Sequence, residues 1–215
     1  MTAIVSTNYL SELLEDAHSR TLELLEDLDD QQLMGPKLPT VNPLLWEIGH
    51  VAWFSEQFVL RKLHNYQASR PELDYIYDSI AIEHPARWDL PLLNLDECLT
   101  YIDEIKDKLC SRLSSGDATE DDSFIYQFAT FHQDMHNEAY TYSRQTLGYP
   151  TPAFSVSKDL NLTNDDFGPY PGDAQIPGGK FVLGASHNAR FLFDNEKWAH
   201  EVMAYPFQIS KAPVT

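Results

Sequence analysis

The sequence predicts a mainly α protein, an up-down-up-down four-helix bundle followed by a C-terminal extension that contains short β-strands. Three observations predict it. Apolar residues recur every three or four positions in four separate stretches, two of the three links between those stretches are short, and after Pro150 the helical period gives way to turn residues and short β-prone runs. The boundary near Pro150 divides the chain into residues 1–150, a helical domain, and residues 151–215, a linker with the incomplete start of a β-containing domain.

The first stripe, Leu10, Leu13, Leu14, Ala17, Thr21, Leu24, Leu25 and Leu28, keeps to one face of a helix from Tyr9 to Leu28. Gly35-Pro36 and Pro39-Thr40 break it. Asn42-Pro43 then reads as a helix start, with Asn42 in the cap and Pro43 at the first helical position. The second helix runs to about Tyr66 and is apolar on more than one face, which suits a central place in the bundle. Residues 67–93 carry three prolines without a sustained period and read as a long ordered crossover. Asn94 with Glu97 three residues on forms a capping box for a third helix that ends near Leu113. Asp121-Asp122-Ser123 places acid at the start of a fourth, which runs to Leu147 and stops at Gly148.

In the extension, the turn-rich stretch 159–171 precedes Ile176-Pro177-Gly178-Gly179, which leads into Lys180-Phe181-Val182-Leu183-Gly184 as a hairpin signal. Phe191-Leu192-Phe193 and Val202 to Ile209 read as further strands.

With 15 basic against 33 acidic residues the net charge is -18, which repels phosphate backbones and anionic headgroups, so neither nucleic acid nor a membrane surface is expected as a partner. The N-terminus lacks the basic region and apolar core of a signal peptide, and no run reaches the ~18 apolar residues of a span, so a cytoplasmic protein is expected. Cys98 and Cys110 fall on one helix, about 18 Å apart along its axis at 1.5 Å per residue, too far for a disulfide.

The chemistry concentrates in histidines. His132 and His136 are four apart and project from adjacent turns of one helix face, and His50 sits mid-helix among Trp46, Trp53 and Phe54. Eight histidines make one such pair by chance unremarkable. The apolar setting of all three argues against chance, because a buried imidazole without a partner is costly. Three inward imidazoles from two helices make an N3 set with open positions, the arrangement of non-haem iron and catalytic zinc sites. Asp134, Glu138, Glu47 and Glu56 are candidates to orient the nitrogens not used for ligation. His18, His64, His84, His187 and His200 read as surface or loop residues. No Ser-His-Asp order, phosphate-binding glycine loop or CxxC pair is present.

The stretch from Asn42 to Phe54 resembles the opening of the DinB-like domains that begin ergothioneine-type sulfoxide synthases, and Phe131 to Glu138 is similar to their HxxxH ligand motif. Ile176 to Gly184, Phe193 to Glu196, Pro206 to Ile209 and Pro213 to Thr215 resemble the opening of the sulfatase-modifying-factor-like domain that follows in that family. The resemblance spans nearly the whole chain.

It implies iron(II) held by His50, His132 and His136, with nickel or zinc bound as purified because affinity follows the Irving–Williams order. It implies dioxygen-dependent joining of a cysteine-type thiol to trimethylhistidine, as in making ergothioneine, ovothiol or a selenium analogue. Arg87 aligns with an arginine that holds the thiol's carboxylate, and its fork suits that role. A second such arginine is replaced by His84, which favours a smaller thiol than γ-glutamyl-cysteine. The catalytic tyrosine and the groups that bind trimethylhistidine lie, in the family, beyond the point where this sequence ends. A separate C-terminal subunit is therefore an expected partner, and the domain alone is expected to be inactive. Two other readings stand beside this one: a zinc-dependent DinB-like thiol S-transferase, and a truncated, non-catalytic metal-binding relic.

Overall fold

A computed structural model of the chain describes residues 4–155 and 171–213. The protein divides into two compact units, one at Ile4–Ser155 and one that includes residues 171–213.

In the first unit, α1 (Thr7–Leu25), α3 (Leu44–Ser55), α5 (Leu95–Leu113) and α6 (Glu120–Leu147) pack around one core, with short α2 (Asp30–Met34) and α4 (Asp74–Tyr77) beside them. The close neighbours are α1 with α5 and α6, and α3 with α5 and α6. α1 thus lies diagonally opposite α3, and α5 diagonally opposite α6. Leu10, Leu14, Val51, Ile102, Ile105 and Tyr126 share one apolar cluster, and Leu24, Leu33, Leu44, Ile48, Cys98 and Tyr140 form a second.

Caps set three helix starts. Ser6 accepts from Tyr9 N, and Asn94–Glu97 and Thr119–Asp122 both close capping boxes. Gly148 ends α6 in the left-handed conformation at φ 68°, which glycine adopts without strain. The second helix departs from expectation at both ends. Pro43 stands in the cap position with no side-chain bond, because the Asn42 amide is engaged elsewhere. Beyond Ser55 the helix widens into a π-helical stretch, Glu56–Leu63.

Polar contacts fix the phase of α6. Asn137 donates to the Ala17 carbonyl at 3.0 Å, and Gln133 donates to Thr21 Oγ1 at 2.8 Å. This stripe faces α1 and turns the neighbouring stripe, His132 and His136, toward α3. At the bundle's other end Arg144 is 1% exposed; it forks onto Asp27 and also donates to the carbonyls of Leu24 and Pro150.

Two of the histidines expected at the surface are interior groups. His18 is 6% exposed with Nε2 2.8 Å from Asp103, and His64 lies 3.1 Å from Asp122 with its side chain 10% exposed. Cys98 and Cys110 are free thiols, and burial pushes Cys98 up to about 12. No helix among the described residues is long and apolar enough to cross a membrane.

The second unit holds β1 (Asp173–Ile176), β2 (Gly179–Leu183), β3 (His200–Ala204) and β4 (Phe207–Ser210). The expected hairpin between neighbouring strands does not form. Instead β1 pairs with β4 and β2 with β3, both antiparallel and in one continuous register, Ile176 opposite Phe207 and Gly179 opposite Ala204. That register sets Pro177 opposite Pro206. Two residues without N–H groups face each other there, which is why one long ribbon is interrupted into two ladders. Phe191 to Phe193 form no strand, and most of the turn-rich stretch 159–171 lies outside the described residues.

Burial lowers the affinity of His18 and His64 for protons, and nearby Lys106 and Arg112 act in the same direction, against the opposing pull of Asp103 and Asp122. As pH falls below about 6.5 the unfolded chain therefore protonates these residues before the folded one does, and stability falls. We expect the unfolding free energy of the metal-free protein, read from urea melts, to drop between pH 7.5 and 5.5, by at most about 1.4 kcal/mol per pH unit for each histidine. The slope should be shallower in the H18N/H64N variant.

Candidate metal centre

α3 brings His50 to the centre of the bundle and α6 brings His132 and His136 to meet it. One nitrogen of each ring lies within 4.8 Å of the others, the one group of three metal-capable side chains among the described residues. The Nε2 atoms of His132 and His136 are 3.2 Å apart, and the His50 ring centroid is 5.1 and 4.9 Å from theirs.

The three imidazoles are held differently. His50 is 2% exposed and its Nδ1 is 2.7 Å from the Tyr77 carbonyl, which only accepts, so the proton sits on Nδ1 and Nε2 offers its lone pair. The Nδ1–H of His136 donates to Glu47 Oε2, which frees its Nε2 in the same way. His132 has no such acceptor. Its Nδ1 is buried without a hydrogen-bond partner, and the ring lies flat on Phe54, centroids 3.6 Å apart. Two fixed tautomers aiming Nε2 inward are the second-sphere pattern of histidine metal ligands.

The electrostatics agree with ligation. Burial lowers the basicity of His50 to about 4, with His136 adding to the effect and the Tyr77 carbonyl opposing it. Burial and the neighbouring rings depress His132 further. Both are neutral at physiological pH, as ligands must be. Burial raises the Glu47 carboxyl, but hydrogen bonds from His136 and Asn42 outweigh it and hold it below the usual carboxylate range.

The expected roles of Asp134 and Glu138 are not met. Each lies two residues from His132 or His136, about 200° around the helix, and so on the far side. Asp134 pairs with Arg20 at 2.7 Å, and Glu138 is exposed. Glu47, three residues before His50 and 2% exposed, takes the orienting position instead. Glu56 is also buried, but it binds Ser69 and Tyr101 and holds the crossover.

The crossover closes one side of the centre. Trp46 stacks on His50 at 4.7 Å, and the Arg87 guanidinium lies 3.9 Å from the Trp46 ring. Arg87 donates to Asn42 Oδ1 at 2.8 Å, while its buried Nε has no hydrogen-bond partner. His84 binds the Val41 carbonyl.

The DinB superfamily model matches residues 13–139, more than half of the chain and the whole of this centre. The chain belongs to the DinB superfamily. Within it, the chain is 28% identical to the hercynine oxygenase of Mycolicibacterium smegmatis over 99% of its own length and 49% of that protein's. Hercynine oxygenases of Mycobacterium tuberculosis and Mycolicibacterium thermoresistibile match at 27% and 28%, over 94% and 96% of this chain and 47% and 46% of theirs. The chain spans about half the length of the curated relatives it matches.

Gly49 makes this DinB centre sensitive to a single methyl group. A Cβ at Gly49 would overlap the Tyr77 ring, and Tyr77 supplies the carbonyl that orients His50. Gly49→Ala should cost about 1–3 kcal/mol in urea unfolding. It should also weaken Co(II) binding by roughly 10- to 100-fold in chelator competition.

Proposed function

We propose that this chain is the metal-binding domain of an ergothioneine-type sulfoxide synthase, with His50, His132 and His136 as ligands of iron(II). The observation that carries the reading is the meeting of three imidazoles, two with Nδ1 fixed by buried acceptors, in a chain whose similarity to hercynine oxygenases covers nearly its full length. Iron(II) bound there would supply dioxygen activation for joining a cysteine-type thiol to trimethylhistidine.

The chain's own residues do the holding. Tyr77 and Glu47 accept from the Nδ1–H groups of His50 and His136 and so turn each Nε2 toward the centre, and Phe54 holds the plane of His132. Arg87 presents an Nε without a partner beside the centre, suited to receive the carboxylate of the thiol. His84 is occupied by a backbone carbonyl, which supports a small thiol such as cysteine.

The ribbon supports a role for further polypeptide. Two-stranded ribbons are marginal alone, and Phe181, Val182, Leu183, Met203, Phe207 and Ile209 are all exposed on this one. A C-terminal domain, fused or separately encoded, would cover it and supply the groups that bind trimethylhistidine. Zinc-dependent thiol transfer is the second reading, because a three-histidine set suits zinc equally well.

Oxygen uptake on mixing the iron-loaded chain, cysteine and trimethylhistidine should appear only with a C-terminal domain supplied. Conjugation of the thiol to an electrophile, with zinc and without oxygen, would favour the transferase. His132→Ala should remove stoichiometric metal binding by elemental analysis while leaving the far-UV circular dichroism unchanged. Arg87→Leu should weaken cysteine at the Co(II)-loaded centre by roughly 10- to 100-fold, the worth of a charge-assisted pair, and leave cysteamine, which has no carboxylate, unaffected.

A further inference from the structure

Asn42 reads in the sequence as the N-cap of α3, a role that is ordinarily stabilising, but Pro43 holds that position. The Asn42 side chain does something else. Asn42 Nδ2 donates to Glu47 Oε1 at 2.6 Å, and Asn42 Oδ1 accepts from Arg87 Nη1 at 2.8 Å. Both neighbours impose the same orientation on the amide, since a guanidinium only donates and a carboxylate only accepts. The other Glu47 oxygen accepts from Nδ1–H of His136. An unbroken hydrogen-bond path therefore runs from Arg87 through Asn42 and Glu47 to a ring that faces the centre.

A path of this kind is polarisable. The cation at one end draws on the amide oxygen, sharpens the amide N–H toward Glu47 and leaves less negative charge for His136. An anion paired with Arg87 relaxes that pull. Glu47 then accepts more strongly from His136, whose Nε2 becomes the better donor to a metal. The Glu47 side chain is 3% exposed, so solvent does little to screen the path.

We propose that Asn42 is a positioning residue that couples Arg87 to His136, so that a carboxylate bound at Arg87 tightens metal ligation and metal, reciprocally, tightens the carboxylate. The coupling rests on the three-histidine reading above, and linkage requires it to run both ways.

The test uses the full chain loaded with Co(II), comparing wild type, N42L and E47Q. Co(II) affinity is measured by chelator competition, and the exchangeable, hyperfine-shifted ring N–H signals by proton NMR. N42L should weaken Co(II) by roughly 10- to 100-fold and move one ring N–H signal, the same one that E47Q moves, without moving that of His50. In wild type, cysteine should move the His136 signal relative to cysteamine, and in both variants that difference should vanish. Wild-type affinity and signals in N42L would overturn the coupling and leave the metal site standing. So would cysteine and cysteamine giving the same His136 signal in wild type although cysteine binds more tightly. A wild-type chain that binds no Co(II) would instead overturn the three-histidine reading, and the coupling with it.

Discussion

A carboxylate inside a helical bundle must be given hydrogen bonds, and the side chain of Glu47 is 3% exposed. Meeting that requirement organises three parts of the chain. α6 must be close and correctly phased for His136 to donate, the segment before α3 must give up Asn42 as a cap, and the crossover must return to bring Arg87 against Asn42. The cost of the buried charge is thus spread over contacts that also build the centre. Removing any one partner would leave a charge in the core rather than merely delete a contact.

The crossover is consequently part of the site's framework. Besides Arg87, it supplies the Tyr77 carbonyl to His50 and the Ile76 carbonyl to Trp46 Nε1 at 2.8 Å. Asp74 gathers Trp53 and both terminal nitrogens of Arg61, and Ser69 returns two hydrogen bonds to Glu56. Each anchor lands on α3 or its π-helical continuation. The widened helix places Glu56 inward, where Tyr101 of α5 also reaches it at 2.6 Å. A segment without regular period is in this way anchored to α3 and its π-helical continuation at several points.

What the sequence disclosed follows from the range of the forces involved. Helix periodicity is local, so the four long helices, the Asn94 capping box and the Gly148 stop could be read directly, and so could the pairing of His132 with His136. The orienting acid was harder to identify. Asp134 and Glu138 are near the ligands in sequence, yet a two-residue step carries them to the far side of α6, whereas Glu47 is 89 residues from His136 and reaches it only through packing. Asn42 looked like a cap because capping is a local rule, and a tertiary demand overrode it. The interior places of His18 and His64 depend on α5 and α6, which their own surroundings in the chain do not reveal. The ribbon could have been found by one further step: placing the two prolines opposite each other gives its register.

The three histidines of the centre are held unequally. His50 is clamped between the Tyr77 carbonyl and the face of Trp46, and His136 is tied to a buried carboxylate. His132 rests on the Phe54 face and meets His136 at Nε2, while its buried Nδ1 has no partner. A hydrogen bond at Nδ1 fixes the tautomer as well as the ring's direction, whereas a stacked face fixes only the ring plane. His132 is therefore the one of the three whose Nδ1 no acceptor holds, and His50 and His136 are the pair fixed by hydrogen bonds. The carboxylate-linked path from Arg87 enters through one of the fixed pair. A perturbation arriving there alters donor strength at a set geometry, which is how a hydrogen-bond path can act without moving the fold.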